Sequence, residues 1–168
     1  GFYADDSDIS NSINHTANRI KIAQTVTELL QIEAQLTKQL YKYAANRTKQ
    51  SDFVREREST DIANGFLNHG NYLAYGLAAT TLWVLGIPHG FAVMHGKTRR
   101  GALVFDIADL IKDTIILPWA FICAKEKATE QEFRQQCLQA FADHKALDFM
   151  FDNVKAIALK TDWECEQE

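Results

Sequence analysis

Glu33, His95 and three aspartates, Asp106, Asp109 and Asp113, have the types and spacing from which a divalent-cation site could be drawn. Glu33 falls in the middle of an apolar stripe formed by Ile22, Val26, Leu29, Leu30, Leu36, Leu40 and Ala44 when residues advance about 100° each around a helix. A carboxylate there is costly, because desolvating it takes several kcal/mol unless a cation or hydrogen bonds compensate. Asp106, Asp109 and Asp113 follow one another at i, i+3 and i+7, within about 60° on a helix, beside Leu103, Ile107, Leu110 and Ile111. Like charges at that spacing repel by a few tenths of a kcal/mol per pair, with no folding benefit. His95 follows the apolar run Phe91 to Met94 and precedes the aspartates. One imidazole with carboxylates from two helices is a mixed oxygen and nitrogen set suited to Mn2+ or Mg2+, with room for water and phosphate. Such a cation would offset the burial of Glu33 and the repulsion of the aspartates together.

Blander readings compete at each position. Glu33 can pair with an Arg or Lys from another helix, the aspartates can form a solvated acidic face, and His95 can be a structural histidine at the core's edge. Lys97, Arg99 and Arg100 lie beside the proposed ligands; they could hold a phosphodiester backbone by charge and hydrogen bonds, or form a solvated basic turn. Other chemistries leave no trace: there is no HExxH, no pair of ExxH motifs, no GxxxxGKS/T or GxGxxG loop and no GxSxG elbow.

The elements that must position these residues read as all-α. Apolar residues recur at helical spacing from about Asn18 to Asn46, which predicts one long amphipathic helix. RTKQSDFVREREST reads as an exposed charged loop, and Ser59 or Thr60 as the cap of a helix from Asp61 to Leu85, ended by Gly86, Pro88 and Gly90. FAVMHGKTRRG reads as a short piece and a turn. A third helix is expected from about Leu103 to Ala124, with Pro118 as a possible break or kink, a fourth from Thr129 or Glu130 to about Phe141, and a last from Lys145 to Leu159. No run of alternating strand residues appears.

At 168 residues the chain is long enough for one domain with a hydrophobic core. Residues 1–17 read as a polar lead-in or linker and 18–168 as the helical domain, with no signal peptide expected. A net charge of -4 excludes a global basic field, so any nucleic-acid contact must be local. Cys123, Cys137 and Cys165 show no zinc spacing and no disulfide framework, which fits a reduced cytoplasm. The apolar run Leu73 to Met94 is interrupted by Gly76, Gly86, Pro88 and Gly90 and falls short of a membrane span.

The segments QIEAQLTKQLYKYAA, NGFLNHGNYLAYGLAATTLWVLGIPHGFAVMHGKTRRGALVFDIADLIKD and LPWAF together resemble the CRISPR-associated adaptation endonuclease of the Cas-one family, in its subtype I-F form, from about Lys21 to Leu159. The resemblance implies a helical C-terminal catalytic domain whose Mn2+ or Mg2+ is held by Glu33, His95 and Asp109, with Asp106 as a nearby fourth acid. It implies metal-dependent cutting and joining of DNA, in which a pre-spacer 3′-hydroxyl attacks the CRISPR repeat. It also implies a β-rich domain that builds a homodimer and is not found in this sequence, and a partner, Cas-two, fused to Cas-three in subtype I-F. Residues alone leave two other classes open: a non-catalytic helical interaction module in which Glu33 pairs with Arg or Lys, and a membrane-associated helical protein built around Leu73 to Met94.

Overall fold

The computed structural model describes residues 2–3, 6–90, 94 and 101–160, and it is all-α, with no strand among the described residues. The described residues form seven α-helices, α1 (Ser7–Ile22), α2 (Val26–Arg47), α3 (Ile62–Val84), α4 (Ala102–Ile111), α5 (Leu117–Glu126), α6 (Glu130–Asp143) and α7 (Ala146–Lys160), with a π segment (Lys112–Ile116) joining α4 to α5; α4, α5, α6 and α7 pack on α3, and α2 packs between α1 and α5.

The long helix expected over 18–46 is two helices. Thr25 caps α2 by accepting from the Glu28 N–H at 3.1 Å, and the Glu28 carboxylate reaches back to the Gln24 N–H at 3.0 Å. This reciprocal Thr-x-x-Glu pairing satisfies donors that a continuous helix would spend on its own ladder, so the chain turns at residues 23–25. Within the span read as a lead-in, residues 7–17 belong to a helix. Asp6 accepts from the Asp8 and Ile9 N–H groups to start α1, which packs on α2 with Ile9 and Thr16 buried. Ile22 and Val26, placed on the apolar stripe by periodicity, are exposed because the turn interrupts that stripe.

Helix α3 carries no Asp, Glu, Lys or Arg, and it buries Ala63, Phe66, Leu67, Gly70, Ala74, Ala78 and Leu82 at helical spacing. Its cap is Asp61, not Ser59 or Thr60: the Asp61 carboxylate accepts from the Asn64 N–H at 2.9 Å, and Ser59 Oγ donates to the same carboxylate. Small residues let neighbours approach closely. A Cβ at Gly70 would stand 2.4 Å from Ile116 Cγ2 of the π segment, and Phe133 of α6 lies just beyond. Phe121, Phe133, Leu82, Ile116, Leu117 and Met150 fill the centre of the core.

The expected kink at Pro118 takes the form of the π segment. Proline has no N–H, and its ring clashes with the carbonyl four residues back in an α-helix. Widening the preceding turn lets the Leu117 N–H bond to the Lys112 carbonyl, five residues back. The same register would make Pro118 the donor to the Asp113 carbonyl, which it cannot be. The Tyr3 hydroxyl donates there instead, at 2.8 Å. Burial first, then the Asp113 charge, pushes the Tyr3 phenol far above its usual range, so it stays a donor. No helix of the described residues is long and apolar enough to cross a membrane.

Candidate active site

Glu33 and Asp109 line one cleft of about 320 Å³ between α2, α4 and the π segment. Helix α2 turns Glu33, Thr37 and Tyr41 toward it at i, i+4 and i+8, while Ile32, Leu40 and Ala44 face the core. Asp109, Lys112 and Asp113 face them from the other wall. The Lys112 ammonium pairs with the Asp109 carboxylate and lies 5.4 Å from the centre of the Tyr75 ring. Burial works against this ammonium, but Asp109, and then Tyr75 and Asp113, hold it above the ordinary lysine range.

Asp113 sits deeper. Its Oδ2 accepts from Thr37 Oγ1 at 3.2 Å. Burial raises its carboxyl above the usual range; the Thr37 hydrogen bond and Lys112 pull down, and Asp109 pushes up again. A raised folded-state value means that the contribution of Asp113 to stability is present below the ordinary carboxylate range and is lost as pH rises through the folded value. Asp113→Asn is therefore expected to raise the melting temperature at neutral pH in metal-free buffer, with the difference closing as pH falls below the carboxylate range. Thermal melts across pH check this, and a variant destabilised at neutral pH would contradict it.

The structure brings Glu33 and Asp109 to the same cavity. Asp106 lies one turn before Asp109 on α4 and accepts from the Met94 N–H at 3.2 Å, which fixes the main chain at Met94 against that helix. His95, Lys97, Arg99 and Arg100 lie outside the described residues. Two carboxylates from two elements provide the hard oxygen donors that Mg2+ or Mn2+ requires, and Lys112 already supplies a positive charge to Asp109. The residues present fit such a cation. Among the described residues no group of three His, Cys, Asp or Glu side chains is gathered for a metal.

The segment read as a solvated charged loop is a wall of the cleft. Arg55 and Arg57 line it together with Asn71 and Tyr75 of α3. Asn64, fully buried, organises this wall: it donates to the Val54 carbonyl (2.8 Å) and the Asp61 carboxylate (2.6 Å), and accepts from Arg55 Nη1 (2.7 Å) and the Glu56 N–H (3.0 Å). One turn on, Asn68 donates to the Arg57 carbonyl and accepts from Arg55 Nη2. The sequence carried a signal for this, asparagines at 64, 68 and 71 on one side of an otherwise apolar helix. Burying an amide is costly without partners, so such spacing announces a polar neighbour.

The helical fold is shared with a solved structure: the crystal structure of a TtCas1–DNA complex matches with a TM-score of 0.74 at 22% identity, over 92% of this chain and 62% of that one. The family model described as CRISPR associated protein Cas1 matches residues 3–152, and the chain belongs to that family. It is 52% identical over 163 residues (96% of this chain) to a CRISPR-associated endonuclease Cas1 of Pseudomonas aeruginosa. It is 58% identical over 139 residues (82% of this chain) to one of Pectobacterium atrosepticum. The chain spans 50% and 43%, about half, of the length of these two relatives.

Proposed function

We propose that this chain is the helical catalytic domain of a divalent-metal-dependent DNA endonuclease and integrase that inserts captured DNA as new CRISPR spacers. The observation that carries the reading is the meeting of Glu33 and Asp109 in one cleft, on the elements to which the family resemblance assigns metal ligands. Relatives named as Cas1 endonucleases and the fold shared with TtCas1 in its DNA complex support it. Glu33, Asp109 and His95 would hold Mn2+ or Mg2+, with Asp106 bracing the chain that leads to His95. When bound, the cation supplies activation of the attacking 3′-hydroxyl and neutralisation of charge at the phosphate.

The chain's own residues do the rest. Lys112 keeps the Asp109 carboxylate oriented into the cleft, and Asp113 anchors α2 to the π segment through Thr37. Arg55 and Arg57 present positive charge where a phosphate backbone would enter, as Lys97, Arg99 and Arg100 are proposed to do from the preceding segment. The proposed partners are pre-spacer DNA, the CRISPR repeat, a second copy in the homodimer and a Cas-two protein fused to Cas-three, all in the prokaryotic cytoplasm. Incubating the protein with a labelled DNA carrying free 3′-hydroxyls and a target duplex tests the reading. Joined or nicked products are expected with Mn2+ and none in chelator; products that persist in chelator would refute metal dependence.

A further inference from the structure

Asp113 is held twice, by its side chain and by its main chain. The carboxylate accepts from Thr37 of α2 inside the cleft, and the carbonyl, which Pro118 cannot serve, accepts from the Tyr3 hydroxyl at 2.8 Å. A main-chain carbonyl withdrawn from water needs a donor, so one hydroxyl closes the gap that the π register opens at the proline. Tyr3 does not line the cleft, and this second bond therefore reaches the π segment from outside the cavity.

Tyr3 is itself seated on α2. Its ring lies 5.8 Å from that of Tyr43 and 5.2 Å, edge-on, from that of Phe2. The Tyr43 hydroxyl donates to the Phe2 carbonyl at 3.3 Å and accepts from Arg47 Nη1 at 3.0 Å, while the Arg47 guanidinium stands 5.4 Å from the centre of the Phe2 ring. Tyr43 and Arg47 belong to the helix that carries Glu33, and Asp113 lies one turn beyond Asp109. Phe2 and Tyr3 thus tie the two walls of the cleft together outside the cavity, as Thr37 and Asp113 tie them inside it. The two ties matter because Glu33 and Asp109 stand on different elements, and a cation such as Mg2+ takes its oxygen donors only at near-ideal spacing.

We propose that Tyr3 is a positioning residue for the acid cleft: through the Asp113 carbonyl it fixes the π segment against α2 and so sets the spacing of Glu33 and Asp109 for a divalent cation. The inference rests on the cation reading of the cleft for its consequence, and not for the tie itself.

The test compares wild type with two variants that each lose one hydroxyl from the same aromatic cluster. Tyr3→Phe keeps the ring and removes the donor to the Asp113 carbonyl; Tyr43→Phe leaves that bond in place. Hydrogen exchange in chelator and calorimetric titration of Mn2+ are measured at a temperature where all three proteins are folded. In Tyr3→Phe, exchange over residues 112–117 is expected to rise and Mn2+ to bind about tenfold more weakly. Tyr43→Phe is expected to keep wild-type exchange over that segment and wild-type affinity for Mn2+. Unchanged exchange over 112–117 in Tyr3→Phe overturns the tie. Mn2+ bound by Tyr3→Phe as tightly as by wild type, or weakened equally in both variants in step with their melting temperatures, overturns the positioning role and leaves packing alone. If exchange rises in Tyr3→Phe only, while the wild-type chain takes up no Mn2+, the tie stands and the cation reading fails.

Discussion

Asp109→Asn is expected to reduce DNA joining by at least about 10³-fold while moving stability by less than about 1 kcal/mol. A divalent cation contributes several kcal/mol of charge stabilisation to phosphoryl chemistry, and each 1.4 kcal/mol or so is a factor of ten in rate. Removing one of its carboxylates should forfeit most of that. Stability moves little because the substitution is isosteric and its effects oppose one another. It relieves repulsion toward Asp113 but takes the carboxylate from Lys112, which keeps Tyr75 and Asp113 as neighbours. The Asp109–Lys112 pair is spaced i, i+3 with both side chains a fifth exposed (22% and 23%), where such pairs are worth about 1 kcal/mol or less. Paired melting curves and joining assays check both parts; a variant that keeps joining DNA while folded would remove Asp109 from the site.

Asn64→Ala is expected to lower stability by about 3 kcal/mol, a fall in melting temperature of roughly 6–12 °C for a chain of this size. The side chain makes all four hydrogen bonds available to an amide, two of them to charged groups, and it is fully buried. Truncation leaves the Val54 carbonyl, the Glu56 N–H and one arm of Arg55 to find water or stay unpaired. The damage should be local as well as global. Hydrogen exchange over residues 54–57 should rise, and oligonucleotide binding should fall with it, because Arg55 loses the oxygen that aims it. A melting temperature within 1–2 °C of wild type, corresponding to about 0.5 kcal/mol, would mean that water replaces the amide without cost.

Much of the fold was legible because hydrophobic periodicity is long-lived in α3, α6 and α7, whose expected bounds lie within a few residues of those observed. The failures have physical causes. Apolar spacing continued across Ile22 and Val26, yet the local hydrogen bonds of Thr25 and Glu28 broke the helix there. The segment 7–22 looked polar because it is, and it folds by laying one thin apolar edge on α2. Pro118 announced an irregularity; its form depended on Tyr3, 115 residues earlier in the chain, which no local pattern could reveal. For the site, helical phase points to Glu33, Asp109 and Asp113, which line one cleft, whereas Asp106 bonds the Met94 N–H and His95 lies outside the described residues. Arg55 and Arg57 were hidden because a charged loop is ordinarily a solvated one, and only the asparagines facing it from α3 mark the exception.

The central claim is that Glu33, His95 and Asp109 form one cation site. Calorimetric titration of Mn2+ into the wild-type chain and into Glu33→Ala, His95→Ala and Asp109→Asn tests it most directly. Binding at one site in the wild type, lost in each of the three variants, is the predicted result. Wild-type binding that survives these substitutions, or no binding in the wild type, would contradict it and make the acids structural members of a helical interaction module.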